Sequence, residues 1–473
     1  MSEKTKKIKR INKPALAGLW YTASSVLERG SAVIFTPIYT RLLTPNEYGI
    51  YSIFVGFCAV VGVIATLQIS GGTVYKGLRE FGSDGRFTSS ALGLISLSGA
   101  LSMLLYLLFY PAFAKLYSIA LPLALLGFLQ VFFNGVRALK ISESKFVYGK
   151  ALPFTEGVFF SLITPLLSVL FIVIFDVREY GRIYASLIAA AIFAIPILFS
   201  ILKRSRGHLY NSKIWLFLLK YSLPSIPHFF AMSLIWQIGK ISVASAFSDA
   251  EAGLLSLAIS VGLLPMILGS GVHSALAPWI TRRLGEERCG RERVYLALSS
   301  FFLPFCLMTV LFMLVCPELF YLLASPLYHS AQVAVYPIAA SVPLIFLSSV
   351  FSSEISYYKK TFFTMLGSAF GAIFNLIFNL LFTFRLGFYF SALLILPTFL
   401  IINTVYLLIL RYRFKDRELP IGRLCGIYFF FLIFSLAAAI LKASALSRAF
   451  LGGAVILMLL PRIRETLSLI KER

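Results

Sequence analysis

Residues 20–52 read WYTASSVLERGSAVIFTPIYTRLLTPNEYGIYS, and this stretch decides how the chain must fold. It contains an apolar segment of membrane length, a short polar turn and the start of a second apolar segment. About 20 apolar residues span a bilayer as a helix, and a helix is required because lipid offers the backbone no hydrogen-bond partners. The stretch therefore predicts a transmembrane helical hairpin, with Glu28 and Arg29 near the middle of its first helix.

The composition extends this interpretation to all 473 residues. Hydrophobic residues make up 59% of the chain and charged residues only 13%, which is too little polar surface for a soluble protein of this length. We therefore predict an all-α polytopic membrane protein with about 14 transmembrane helices. The five cysteines are scattered without CxxC spacing, so neither a disulfide framework nor a metal site is expected.

Apolar segments of membrane length recur along the whole chain. They lie near residues 15–41, 48–70, 88–110, 118–138, 151–175, 182–202, 214–245, 251–275, 293–315, 333–357, 361–384, 387–410, 424–441 and 447–461. Basic loops separate the first six segments from the next six, and these from the last two. This order predicts a basic cytoplasmic tail at 1–13, an N-lobe of helices 1–6 at 14–202, a cytoplasmic linker at 203–213, a C-lobe of helices 7–12 at 214–410, and a C-terminal helix pair and tail at 411–473.

The distribution of positive charge predicts the orientation. With a cytoplasmic N-terminus, the cytoplasmic loops, among them 137–150 and 411–423, hold 33 of the 43 Lys and Arg residues. The outer loops hold seven, and three lie within spans. This bias follows the positive-inside rule and favours an even number of spans, with both termini cytoplasmic. It also accounts for the net charge of +23 without nucleic acid as a partner.

An internal repeat divides the chain into similar halves. Residues 44–52, TPNEYGIYS, match residues 248–256, SDAEAGLLS, at an offset of 204 positions. Each copy begins with a hydroxyl residue followed three positions later by Glu, which is the capping-box pattern of a helix start. Both copies follow the first helix of a six-helix set, so we predict two pseudo-symmetric six-helix lobes, arranged as parallel repeats, plus a C-terminal helix pair.

The loops predict a protein that is not an enzyme. None exceeds on the order of 17 residues by the span rule, which leaves no room for a catalytic domain outside the membrane. The sequence has no P-loop, HExxH motif, nucleophile elbow or carboxylate cluster in its loops. We assign no catalytic residue, metal ligand or cofactor, and look for function inside the spans.

Three basic residues inside spans are candidates for substrate binding. Arg29 lies about 15 residues from the cytoplasmic side and 12 from the outer turn, and a central Arg costs roughly 2.5–3.5 kcal/mol in a bilayer. It is expected either to form a structural ion pair with another helix or to face a cavity and meet an anionic substrate. Lys240 and Lys220 lie nearer the two ends of helix 7, where extension of the side chain to the interface competes with substrate contact.

Three glutamates are candidates for coupling transport to an ion gradient: Glu28, Glu156 and Glu354. Glu28 neighbours Arg29, although adjacent residues on a helix point about 100° apart. Glu156 lies near Lys150, and Glu354 lies near two lysines at a cytoplasmic helix end. An interfacial ion pair is therefore the alternative for both.

Uncharged polar side chains also occur inside the spans. Each can line a cavity or hydrogen-bond to a neighbouring helix, and the interhelical bond is the simpler interpretation. They are Gln68, Gln130, Asn134, His228, His273, Asn375, Asn379 and Asn403.

Several of these segments together resemble a known family. They are the hairpin broken by LLTPNEYGIYS, the KYSLP start of helix 7, the second turn SDAEAGLLSLA, and the segment with Asn375 and Asn379 that leads to RLGFYFSA. Over roughly residues 12–410 the chain resembles the polysaccharide biosynthesis branch of the multidrug/oligosaccharidyl-lipid/polysaccharide exporter superfamily. It is most similar to the O-antigen (Wzx-type) flippases.

This resemblance implies a flippase of the bacterial cytoplasmic (inner) membrane. Two lobes would open alternately to each side and carry an undecaprenyl-diphosphate-linked oligosaccharide, such as a lipopolysaccharide precursor, from the cytoplasmic to the periplasmic leaflet. Cations in a central cavity would receive the diphosphate, consistent with Arg29. The implied partners are this lipid-linked oligosaccharide, membrane lipid, and the polysaccharide polymerase and chain-length machinery.

One departure and two alternatives accompany the resemblance. Many family members carry an Asp-Arg pair on helix 7, where this chain has Gly239 and Lys240, so a carboxylate-based role at that position is not expected. A multidrug exporter of the same superfamily would favour an acidic cavity, which the basic residues found here oppose. A membrane polysaccharide polymerase or ligase is disfavoured by the short outer loops.

Overall fold

The computed structural model of the protein describes residues 20, 24, 27, 30–31, 33–82, 85–111, 119–147, 149, 151–205, 208–273, 288–358, 360–416 and 418–471. Every regular element within these ranges is a helix. Eleven of the described helices are long and apolar enough to cross a membrane, or up to 12 if one bent pair is a single span. The structure therefore confirms the predicted all-α polytopic fold class.

The helices follow the order of the apolar segments. They are α1 (described at 33–42), α2 (Pro45–Ala65), α3 (Gly71–Phe81), α4 (Arg86–Leu108), α5 (Leu121–Phe146), α6 (Ala151–Ile174), α7 (Arg178–Ser205), α8 (Ser212–Ala246), α9 (Asp249–Gly262), α10 (Met266–His273), α11 (Arg288–Leu323), α12 (Gln332–Tyr357), α13 (Thr361–Leu408), α14 (Ile421–Ile440) and α15 (Ala445–Lys471). The 11-residue α3 is amphipathic, since it buries Val74 and Leu78 and exposes Lys76 and Arg79. It has no counterpart among the predicted spans because its charged face breaks the apolar run.

The longest helix, α13, contains two predicted spans. Its 48 residues are interrupted at Gly387, which has a non-helical φ of 73°. A continuous helix of that length would measure about 72 Å, more than twice the thickness of the hydrocarbon core. Glycine adopts positive φ without steric cost, and the break falls where the sequence separates the spans at 361–384 and 387–410.

The start of α2 has the cap that its sequence predicts. The backbone N–H of Glu47 donates to the Thr44 hydroxyl at 3.4 Å, and the Thr44 N–H donates to the Glu47 carboxylate at 2.7 Å. In the matching segment, the backbone N–H of Glu251 donates to the Ser248 hydroxyl at 3.3 Å. Both copies of the repeat therefore begin a helix at the same position of the motif.

The two copies of the repeat also touch each other through their glycines. A Cβ on Gly49 would lie 1.8 Å from the backbone oxygen of Asp249, and a Cβ on Gly253 would lie 2.1 Å from that of Pro45. Gly49 and Gly253 are equivalent positions of the repeat, as are Pro45 and Asp249. The contact is thus symmetric, and only glycine allows the two backbones to approach so closely.

The chain divides into two compact units. Unit 1 comprises Met1–Gln237 and Ser248–Gly253, and unit 2 comprises Ile238–Phe247 and Leu254–Arg473. The lobe boundaries proposed from the sequence are not tested by this division and stay a prediction. Because Ser248–Gly253 belongs to unit 1, the glycine contact lies within that unit.

Each unit has its own packed interior. In unit 1 the α3, α4, α5, α7 and α8 helices share an apolar cluster, and the Trp215 indole donates to the Ser90 carbonyl at 2.9 Å. In unit 2 the α12 helix packs against α11, α13 and α14. The C-terminal α15 packs on α11, where the buried Arg448 pairs with Glu318. Each unit therefore provides a rigid framework for the polar groups it contains.

One predicted boundary is wrong. The sequence places a cytoplasmic loop at residues 137–150, whereas α5 continues to Phe146. Lys140 and Glu143, three residues apart, form an ion pair at 2.8 Å, which stabilises the extra turns outside the apolar span. Arg137 consequently lies on a helix and not in a loop.

Candidate functional site

Glu28 and Arg29, the central pair of the opening stretch, lie outside the described residues. Their described neighbours Ser24 and Ser31 are buried. The Ser24 hydroxyl donates to the carbonyl of Pro153 at 3.1 Å, so the first helix packs against α6. The roles assigned to Glu28 and Arg29 stay predictions.

Lys240 lies in the part of α8 that belongs to unit 2. Its side chain is partly exposed, and no hydrogen bond or ion pair joins it to another described residue. An ammonium group inside a membrane-spanning helix is costly unless water, a partner or a ligand solvates it. Lys240 is therefore a cation without a protein counter-ion among the described residues.

A buried polar network on α13 lies against Gly239, the residue before Lys240. The Asn379 carbonyl oxygen accepts from Thr383 at 3.0 Å and from Ser391 at 2.7 Å. The Asn379 amide donates to Asn375, whose own amide donates to Thr398 at 2.8 Å. The network joins the two segments of α13 on either side of Gly387, as the interhelical interpretation of Asn375 and Asn379 predicts.

Gly239 brings α8 against this network. A Cβ at this position would lie 3.3 Å from the Ser391 Cβ and 3.6 Å from the Asn379 carbonyl oxygen. A larger side chain would therefore press on the network and force it to shift. The absence of a carboxylate beside Lys240 therefore has a steric reason.

Lys220, the third basic candidate, is exposed near the start of α8. A single 3₁₀ turn at Leu223–Ser225 separates it from the segment that carries Lys240. Lys220 belongs to unit 1 and Lys240 to unit 2. Lys240 is the less exposed of the two lysines, so it is the stronger candidate for a site inside the membrane.

Glu156 on α6 forms an ion pair with a residue of α5. The Arg137 guanidinium lies 2.5 Å from the Glu156 carboxylate and donates to the Asn134 carbonyl oxygen at 2.7 Å. It also stacks on the Phe160 ring, with its central carbon 3.5 Å from the ring centroid. The partner expected from the sequence was Lys150, which lies outside the described residues. Glu156 therefore joins two helices, as its ion-pair alternative predicts.

Glu354 on α12 is buried and contacts Tyr295 of α11. The Tyr295 hydroxyl oxygen lies 2.5 Å from the Glu354 carboxylate and 2.6 Å from the carboxylate of Asp416. All three side chains are buried. They link α11, α12 and the segment that follows α13, which is a structural role for Glu354 in addition to the predicted one.

Sequence reasoning missed Arg137, Tyr295 and Asp416. Arg137 and Asp416 were assigned to loops, and Tyr295 is one of 23 tyrosines without a distinguishing neighbour. The spacing of Asn134 and Arg137 carries a signal, because residues three apart share a helix face. The contacts of Tyr295 and Asp416 connect positions 121 residues apart, which no local pattern can reveal.

These helices, with their polar groups inside membrane-spanning segments, define a polytopic α-helical membrane fold. Residues 38–332 match the model of the polysaccharide biosynthesis protein family. The match covers more than half of the chain, and the protein belongs to this family. No curated protein sequence matches the chain.

Solved structures share the fold. The lipid II flippase MurJ, in an inward closed conformation, aligns with a TM-score of 0.70 at 16% identity, covering 96% of this chain and 99% of that chain. A multidrug resistance MATE family transporter of the MOP superfamily aligns with a TM-score of 0.65 at 16% identity, covering 83% and 94%. A mutant of the Vibrio cholerae MATE transporter VcmN aligns with a TM-score of 0.55 at 15% identity, covering 88% and 98%. At these identities the likeness shows a shared fold, while the family match confirms the polysaccharide biosynthesis family expected from the sequence.

Proposed function

We propose that this protein is a flippase that moves an undecaprenyl-diphosphate-linked oligosaccharide from the cytoplasmic to the periplasmic leaflet of the bacterial inner membrane. Alternating access of two lobes would carry the substrate across. Membership of the polysaccharide biosynthesis family and a fold similar to that of a lipid II flippase support this class of substrate.

The observation that carries the proposal is the cation at Lys240. Its ammonium group lies in a membrane-spanning helix without a hydrogen bond or ion pair to another described residue. A diphosphate is a strong acceptor for such a group, and a charge-assisted hydrogen bond contributes about 1.5–3 kcal/mol. A cationic drug would instead be repelled, so this residue favours a lipid diphosphate over the substrates of a multidrug exporter.

The proposal assigns substrate contact to Lys240 first. Arg29 is proposed as a second cation for the diphosphate, because a central Arg in a membrane-spanning helix also needs an anion or water. Lys220 is proposed to attract the lipid headgroup at the cytoplasmic side, where it is exposed.

Ion coupling is proposed at a glutamate. Glu28 and Glu354 are the candidates, since Glu156 is already neutralised by Arg137 at 2.5 Å. A Glu354→Gln variant that lost the dependence of transport on a pH gradient, yet retained binding of the lipid, would support Glu354. Unchanged gradient dependence would leave Glu28 as the candidate.

The test is a translocation assay in proteoliposomes. Purified protein is reconstituted with a polyprenyl-diphosphate-linked oligosaccharide, and the glycan that reaches the outer leaflet is counted with an impermeant lectin. We expect the wild-type protein to accelerate translocation and Lys240→Ala to slow it by about 10- to 100-fold, the loss of one charge-assisted bond. Lys240→Arg, which keeps the charge, should retain most of the rate.

The control is Lys213→Ala, which removes an exposed lysine near the start of the same helix. Its rate should equal that of the wild type. A wild-type protein that moved the lipid no faster than protein-free vesicles would overturn the flippase proposal. A Lys240→Ala variant that transported at the wild-type rate would overturn the role of this lysine.

A further inference from the structure

A polar cavity of about 200 Å³ lies in unit 1 between α2 and α5. Its apolar wall is made of small residues, including Ala59, Gly62 and Gly135. A Cβ on Gly135 would lie 3.1 Å from the Thr66 methyl group, so the glycine lets the two helices approach here. The cavity therefore owes its space to small side chains that pack along both helices.

The polar part of the cavity wall carries uncharged hydrogen-bonding groups. Gln68, Ser70 and Asn134 line the cavity, and the side chains of Gln68 and Ser70 make no hydrogen bond to another described residue. Asn134 uses its carbonyl oxygen to accept from Arg137 at 2.7 Å, which leaves its two amide hydrogens for another acceptor. The wall thus offers both donors and acceptors to a ligand.

The backbone at this wall is strained. Leu67 and Gln68 both have a φ of 51°, in the left-handed region that residues other than glycine, Asn and Asp rarely adopt. The turn is held by hydrogen bonds from the Ser70 N–H to the Gln68 carbonyl at 2.8 Å and from the Gly71 N–H to the Ser142 hydroxyl at 2.9 Å. Strain of this kind recurs at binding sites, where the surrounding structure holds a side chain in place.

The charge near the cavity is balanced. Arg137 is the nearest cation along α5, and Glu156 pairs with it at 2.5 Å while Phe160 covers its face. Asn134 is exposed at the cavity, and an exposed amide at this position of a membrane-spanning helix needs water or a polar ligand. The site therefore suits a ligand that is neutral, polar and rich in hydroxyl or amide groups.

We propose that this cavity is a subsite for an uncharged sugar of the lipid-linked glycan, with Gln68 and Asn134 as its hydrogen-bonding residues. The assignment rests on the proposed function and adds to it a contact, within unit 1, for the glycan part of the substrate.

The experiment compares two lipids on protein embedded in nanodiscs. One lipid is a bare polyprenyl diphosphate, and the other is the same lipid with one N-acetylhexosamine on the diphosphate. Native mass spectrometry gives the affinity for each, and their ratio isolates the contribution of the sugar. We expect the wild type to prefer the sugar-bearing lipid by about tenfold or more, the value of two modest hydrogen bonds.

Two variants each remove one polar side chain from the cavity wall, and a third variant fills the cavity. Gln68→Gly removes the amide and suits the positive φ, whereas Asn134→Ala removes the other amide. Each should reduce the preference by about threefold to tenfold and leave the affinity for the bare lipid unchanged. Ala59→Leu keeps every polar group but occupies the space, so it should abolish the preference as well.

The control is Ser260→Ala, which removes an exposed hydroxyl of unit 2 that bonds only to its own helix at 2.9 Å. It should keep the wild-type ratio. A wild-type ratio in the Gln68, Asn134 and Ala59 variants would overturn the sugar subsite while leaving the flippase proposal intact. A wild-type protein that binds neither lipid would overturn both proposals.

Discussion

Arg137 in unit 1 and Lys240 in unit 2 are both positive charges on membrane-spanning helices, but their surroundings are opposite. In unit 1, Arg137 is held by Glu156, Asn134 and the ring of Phe160. In unit 2, Lys240 has no counter-ion among the described residues. Because Arg137 is paired, its charge stabilises the fold but is not available to a ligand. Because Lys240 has no such partner, its charge lowers the stability of the fold but is available to a ligand.

The largest effect is expected when the paired charge is broken. Arg137→Leu leaves Glu156 without its partner, and losing one member of a partly buried pair costs about 3–5 kcal/mol of unfolding free energy. Thermal unfolding of the detergent-purified protein measures the change. The double variant Arg137→Leu with Glu156→Leu should recover most of the loss, because no charge is then stranded. If the single variant were as stable as the wild type, Arg137 and Glu156 would not act as a structural pair.

The next largest effect is an increase in the free energy of unfolding. Lys240→Leu removes a charge that has no partner to strand, so the unfolding free energy should rise by up to about 2.5–3.5 kcal/mol while translocation falls. The same thermal assay and the proteoliposome assay measure the two changes. A loss of stability in this variant would show that Lys240 has a partner within the protein. The contrast between Lys240 and Arg137 would then disappear.

A smaller effect is expected at the glycine contact, where the two copies of the repeat are alike. Gly49→Ala and Gly253→Ala each place a methyl group against a backbone oxygen at 1.8 or 2.1 Å, and relieving such overlap costs about 1–3 kcal/mol. Thermal unfolding should show similar losses for both. Gly99→Ala is the matched control, since its Cβ would meet its nearest neighbour at 3.9 Å. A harmless Gly49→Ala paired with a damaging Gly253→Ala would contradict the symmetry of the contact.

The smallest effect is expected at Lys220. This lysine is exposed, so Lys220→Ala should change the unfolding free energy by no more than about 0.5 kcal/mol and the translocation rate by about twofold, with the difference disappearing at high salt. Translocation at low and high ionic strength checks this. A loss as large as that of Lys240→Ala would place Lys220 in the membrane site and remove the distinction between the two lysines.

Sequence patterns predicted a structural feature correctly wherever the residues that form it are close together in the sequence. The capping box at Thr44 and Glu47 follows from a spacing of three residues, and the break at Gly387 follows from the length limit of a span. The same patterns failed at Arg137, because charged residues after an apolar run indicate equally a loop or a continuing helix. The helix continues beyond Arg137, and the ion pair of Lys140 with Glu143 stabilises this continuation.

The candidate sites were predicted less completely than the fold. Lys240, Lys220, Glu156 and Glu354 were identified as charges at unusual depth, but their partners were not. Tyr295 contacts Glu354 and Asp416 across 59 and 121 positions of sequence, respectively. Gln68, in the turn after α2, and Asn134, on α5, line the same cavity. Such encounters depend on helix rotation and packing, which periodicity alone does not define.

The sequence by itself determined that the chain lies in a membrane, that it folds into helices, that two helices start in the same way, and which family it resembles. Each follows from the bilayer, which requires apolar helices of fixed length and makes every charge in a span conspicuous. Only the tertiary structure decided which charges are paired and what the matched glycines do. An unpaired Lys240 and a paired Arg137 look the same in sequence, because a counter-ion is a neighbour in space and not along the chain.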